Sequence, residues 1–207
     1  MDKDEETRQD QIQFEHLIQG LIHQKFGCCD DFMDTTVVAG LRNNIRQLRD
    51  SGSMQSAGFG KKLDYQKNSS IRGDKIRWIE ADSQDTFEEV YLKKIGNFIR
   101  YLNETCYTSI NSFESHYASY EQESFYKRHR DQFHHDKGRK YSIVLYLNEN
   151  WQQEDAGLLS LYPSASTQVD IAPIGGRMVF FKSDEMEHEV HPSFTRNRIS
   201  IAGWLKS

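Results

Sequence analysis

The hydrophobic period of the chain changes partway along. In the first half, Phe14, Leu17, Ile18, Leu21 and Ile22 fall at i, i+3, i+4, i+7 and i+8, which places them on one stripe of a helix. Val38, Leu41, Ile45 and Leu48 repeat that spacing less cleanly, and Phe87, Val90, Tyr91, Ile95, Phe98, Ile99 and Leu102 make a third stripe. Stripes of this kind are packing faces, so three helices, each with one buried side, are expected. Between the second and third lies SGSMQSAGFGKKLDYQKNSS, residues 51–70, rich in Gly, Ser and Lys. It carries too little apolar surface to be rigid alone and reads as a mobile loop, either a linker or a lid.

After about residue 112 the period becomes two. HYASYE, KYSIVLYLN, GLLSLYP, TQVDIAP, RMVFFKS and RISIAGW read as strands, separated by the turn-prone stretches HHDKGR, NENWQQEDAG and APIGG. Several short strands with no helical segment among them predict a mainly β fold, a sandwich or jelly roll. The expected organisation is a helical region over residues 1–112 that buttresses a β core over residues 113–207.

Composition narrows the setting. A chain of 207 residues is long enough for one domain with an extension and a sizeable core. A formal charge of -5 argues against a broad nucleic-acid-binding face. No apolar run approaches the length needed to cross a bilayer, and the charged start MDKDEETRQD is unlike a secretory leader. A cytoplasmic protein with neither membrane nor nucleic-acid partners is expected. Three cysteines, two of them adjacent at Cys28 and Cys29, make neither a disulfide framework nor a spaced zinc pattern, and read as reduced thiols.

Candidate chemistry concentrates in YEQESFYKRHRDQFHHD, residues 120–136. In a strand, residues two apart share a face, so His129 and Asp131 would stand side by side. So short a motif arises readily by chance, and the pair gains meaning only with a third ligand from a distant strand. His188, in EMEHEVHP, lies between RMVFF and RISIAGW, at a strand end where the mouth of a jelly roll would be; His191 is its competitor. His134, His135 and Asp136 read as a solvated turn. Two imidazoles and one carboxylate leave three adjacent positions of an octahedral Fe(II) open, whereas zinc prefers fewer ligands. Arg198, Ser200, Ala202 and Trp204 share one strand face. Arg198 is then either a solvated strand-end residue or a guanidinium turned inward to hold a carboxylate.

In order, YEQESFYKRHRD, LYLNENW, HEVHP and RISIAGW resemble the 2-oxoglutarate and Fe(II)-dependent dioxygenases of the prolyl 4-hydroxylase superfamily. Upstream, IRGDKIRWIE, residues 71–80, resembles the RGDKI-x-WIE segment of the egl-nine type and its bacterial relatives. The resemblance implies a double-stranded β-helix in which His129, Asp131 and His188 bind Fe(II). It makes Arg198, helped by Tyr146, the partner of the distal carboxylate of 2-oxoglutarate, and it places Tyr120 in the pocket near the iron. Arg72, Asp74 and Arg139 match polar residues at the substrate entrance, and the loop before Ile71 matches a lid. The implied activity is hydroxylation of a prolyl residue in a protein, with O2 consumed, succinate and CO2 released, and ascorbate as reductant. Because the bacterial relatives act on elongation factor Tu, that protein is the first candidate partner. A related oxygenase acting on a small molecule or another side chain, and a non-catalytic jelly-roll binding module, are the alternatives. The chain departs from the family after Tyr120, where Glu121, Gln122 and Glu123 stand in place of a frequent Pro-Gly turn.

Overall fold

A computed structural model of the protein describes residues 3–57, 71–132 and 138–207. Most of the loop expected at 51–70, and His134, His135 and Asp136, lie outside these residues. Three helices appear where the stripes placed them: α1 (Lys3–Gln24), α2 (Thr35–Asp50) and α3 (Thr86–Cys106). Two begin at an aspartate cap. The Asp34 carboxylate accepts from the Thr36 amide at 2.7 Å, and that of Asp85 from the Phe87 and Glu88 amides at 3.0 Å, satisfying donors that a helix start leaves unpaired.

Eleven strands are found among the described residues. In the first half these are β1 (Phe26–Cys29), β2 (Gln55–Ser56) and β3 (Lys75–Ile79). They are followed by β4 (Ser112–Tyr120), β5 (Tyr126–His129), β6 (Arg139–Tyr146), β7 (Leu159–Ser164), β8 (Thr167–Ile171), β9 (Met178–Lys182), β10 (Glu187–Val190) and β11 (Arg198–Lys206). They form a seven-stranded sheet in the order β1-β9-β6-β11-β4-β3-β2 and a four-stranded sheet in the order β5-β10-β7-β8. Every named pairing is antiparallel, the jelly-roll arrangement. The periodicity did not show β1, β2, β3, β5 or β10, so the first half contributes strands to the large sheet as well as helices.

Alternation along the strands sorts side chains between two cores. Tyr117 of β4, Phe180 of β9 and Ile199, Ile201 and Leu205 of β11 pack with Phe14, Leu17, Leu41, Ile95 and Phe98 of the helices. Their neighbours Ala118, Tyr120, Tyr146, Val179 and Phe181 face the small sheet, where Leu159, Leu161 and Val190 meet them. Burying each of the larger apolar side chains contributes about 1.5–3 kcal/mol. The helices thus cover one face of the large sheet, and its other face is left to line a cleft with the small sheet.

Candidate metal centre and cosubstrate pocket

The cleft brings His129, Asp131 and His188 together, with one ligand atom from each residue all within 4.8 Å of one another. The two histidines are direct partners across the β5–β10 ladder, and their ring centroids are 4.2 Å apart. Asp131 differs from the expected same-strand neighbour. It lies past the end of β5, and its Oδ1 turns back to 3.5 Å from His129 Nε2 and 3.6 Å from His188 Nε2. Each imidazole is oriented from behind, His129 Nδ1 by the Lys127 carbonyl at 2.7 Å and His188 Nδ1 by the Met186 carbonyl at 3.3 Å. That contact sets the tautomer, leaving a lone pair on Nε2. His129 Nε2 is buried with no hydrogen-bond partner, an orphaned donor atom that a bound cation would satisfy.

Electrostatics favour the ligand forms. Burial, then the nearby His129, push His188 down to about 4, so its imidazole is neutral near pH 7. Burial alone would raise the Asp131 carboxyl, but His188, His129 and the Ser142 hydroxyl hold it well below the usual carboxylate range. Ser142 Oγ donates to Asp131 Oδ2 at 2.7 Å and lies 2.8 Å from the buried Ser183 Oγ. With Oδ2 engaged, Oδ1 is the oxygen facing the imidazoles.

Arg198 begins β11 and is 2 % exposed, so it is not a solvated strand-end residue. Its Nε donates to the Gly157 carbonyl at 3.0 Å and its Nη2 to Tyr146 Oη at 3.3 Å. The guanidinium lies 5.2 Å from the Tyr120 ring and 5.0 Å from that of Tyr146. No carboxylate among the described residues forms an ion pair with it, so a buried positive charge awaits an anion. Burial pushes the Tyr146 phenol up to about 12 and raises that of Tyr120, keeping both protonated. Glu123 takes φ of 64° to make the turn after Tyr120, and its amide donates to the Ser193 carbonyl at 2.9 Å.

Arg72 and Asp74 form a two-point pair, Nε–Oδ1 2.7 Å and Nη2–Oδ2 2.6 Å. The guanidinium lies 4.3 Å from the centroid of Tyr126, which also stacks on His129 at 3.5 Å. Arg139 stands apart from this column, paired with Glu114 at 2.9 Å and 3.5 Å over the Trp204 ring, where the buried His116 packs between Trp204 and the half-exposed Trp78. His191 is not a member of the cluster; its Nε2 meets Ser160 Oγ at 2.7 Å. Arg196 pairs with Asp155. Tyr126, Ser142 and Ser183 were not anticipated, and nothing in their local sequence sets them apart from other strand serines and aromatics.

Residues 115–206 match the 2OG-Fe(II) oxygenase superfamily. A prolyl-4-hydroxylase of Pseudomonas putida superposes with a TM-score of 0.84 at 30 % identity, covering 93 % of this chain and 98 % of that one. A Trichoplax adhaerens prolyl hydroxylase, solved with a peptide of the hypoxia inducible factor oxygen degradation domain, gives 0.87 at 26 % identity, covering 100 % and 94 %. Human Egl nine homolog 1 is 31 % identical over 191 residues, 87 % of this chain and 44 % of that protein. With 55 % of the rat counterpart covered, the chain spans about half the length of the curated relatives it matches. The chain belongs to the 2-oxoglutarate and Fe(II)-dependent oxygenases, within their prolyl 4-hydroxylase family. That family's metal and cosubstrate, Fe(II) and 2-oxoglutarate, fit a donor set of two imidazoles and a carboxylate beside a buried guanidinium.

Proposed function

We propose that this protein hydroxylates a prolyl residue of a protein substrate, consuming O2 and 2-oxoglutarate and releasing succinate and CO2. The observation that carries this reading is the triad His129, Asp131 and His188 in one cleft with the buried guanidinium of Arg198, which has no ion pair among the described residues. Fe(II) held by the triad would supply the redox chemistry that activates O2 as 2-oxoglutarate is decarboxylated, and ascorbate is the reductant that keeps it ferrous. The residues do the rest by position. His129 and His188 turn their Nε2 atoms toward the metal position, and Ser142 fixes which oxygen of Asp131 faces them. Arg198 and Tyr146 receive the distal carboxylate of the cosubstrate, orienting its other end toward the triad. Tyr120 walls the pocket against water. The Asp74–Arg72–Tyr126 column supports His129 from the entrance side.

The partly exposed rings of Trp78 and Trp204, backed by the buried His116 and bordered by Arg139, suit an extended peptide more than a small metabolite. The peptide-bound Trichoplax enzyme supports the same substrate class. The three cysteines are free thiols and no described helix is long and apolar enough to cross a membrane, which supports a cytoplasmic setting. Elongation factor Tu is the first substrate candidate. The test is succinate release measured together with mass spectrometry for one added oxygen on proline, beginning with elongation factor Tu and its proline-containing peptides, then all proteins of a lysate. Substrate-dependent proline oxidation is expected. Oxidation found only on free amino acids, bases or non-prolyl side chains would retire the prolyl reading and leave the oxygenase in place.

A further inference from the structure

A cavity of about 340 Å3 opens between α2, the segment after β6 and the segment before β11. Ile199 lines it, while its neighbour Arg198 points to the opposite face of β11, so this cavity is distinct from the cosubstrate pocket. Four guanidinium groups, of Arg42, Arg46, Arg49 and Arg196, lie in its wall with a single carboxylate, that of Glu149, in a chain of net charge -5. Arg42, Arg46 and Arg49 are four and three residues apart on one face of α2, where like charges repel.

Two of the four build the wall. Arg196 donates to the carbonyls of Glu149 and Asn150, pairs with Asp155 and lies 4.9 Å from the Trp151 ring centroid. Arg42 Nε donates to the Leu147 carbonyl at 2.9 Å, and its Nη1 holds the Glu149 carboxylate at 2.5 Å. The Glu149 side chain is 56 % exposed, so this oxyanion sits on the arginine from the solvent side and is readily exchanged. Arg49 has only its exposed sequence neighbour Asp50, and Arg46 has no counter-ion among the described residues.

We infer that the cavity binds a small anion carrying at least two oxyanion groups, phosphate or carboxylate. One group displaces Glu149 from Arg42, and the other meets the guanidinium forks of Arg46 and Arg49. The volume suits a metabolite. The test is calorimetric titration of fructose 1,6-bisphosphate and, separately, tricarballylate into the full chain. The protein carries redox-inert zinc(II) and saturating 2-oxoglutarate, which keeps the cosubstrate pocket filled. At low salt, one-to-one binding with a Kd below about 1 mM is expected, the tighter probe telling phosphate from carboxylate. The double variant R46A/R49A should weaken it at least about tenfold with unchanged thermal unfolding, since neither side chain packs in a core. E149Q should tighten it by removing the resident competitor. Absence of heat from both probes up to about 10 mM, or equal affinity in R46A/R49A, would overturn the inference.

Discussion

Each histidine of the triad is steered by the carbonyl two residues earlier, Lys127 within β5 and Met186 just before β10, so the metal-binding atom is fixed before any metal arrives. His188→Ala should therefore reduce iron content at least about tenfold, whereas His191→Ala, which loses only its contact to Ser160, should retain it; metal analysis of the purified variants distinguishes them. Arg198→Lys should raise the KM for 2-oxoglutarate at least about tenfold without changing iron affinity, because an ammonium cannot both meet the Gly157 carbonyl and present a fork to a carboxylate. Ser142→Ala removes the donor from Asp131 Oδ2. Iron affinity, measured by competition with a chelator, should then fall by about 10–100-fold, and Ser142→Thr should restore much of it. At this scale the sequence was informative where a residue type is unusual for its place, as with an arginine heading an alternating strand. Ser142 and Ser183 looked like any strand serines, because their role depends on β6 and β9 lying side by side.

At the scale of elements, two positions carry backbone or packing demands that can be measured. Glu123 occupies the left-handed region at φ 64°, which disfavours any residue with a Cβ by about 1–2 kcal/mol. Glu123→Gly should raise stability by about 1 kcal/mol in chemical denaturation and leave the iron site unchanged. Gly40 on α2 faces α3 so closely that an added Cβ would fall 2.2 Å from Phe87 Cγ. Gly40→Ala should cost about 1–3 kcal/mol by overpacking that helix pair, read in the same assay. The three helices and the strands β4, β6, β7, β8, β9 and β11 were legible because each repeats its period more than once. The strands β1, β2, β5 and β10 span two to four residues, too few to display a period, and their ladders come from partners elsewhere in the chain. FGCC is a strand because Phe26–Cys29 run beside Phe181–Met178; YKRH and EHEV pair with each other. The histidine-bearing strands were thus the least visible elements, and Asp131 reached the site by leaving its strand, which alternation does not foretell.

Across the whole molecule, the large sheet is assembled from the two ends of the chain. Its centre is β11, flanked by β4 and β6, and its β1 edge waits for β9. Contacts so distant in sequence make folding slow, since long loops must close before the ladder forms. They also fix an order of birth. A ribosome that has delivered every residue through Ile171, the end of β8, has made His129 and Asp131 but neither His188 nor the strand that carries Arg198. A chain stopped there has helices without the central strand of their sheet, and two-thirds of a metal site without Arg198. The site is completed only when β10 and β11 dock, which are the same events that close the walls around it, so a growing chain gains its full ligand set and its enclosure together.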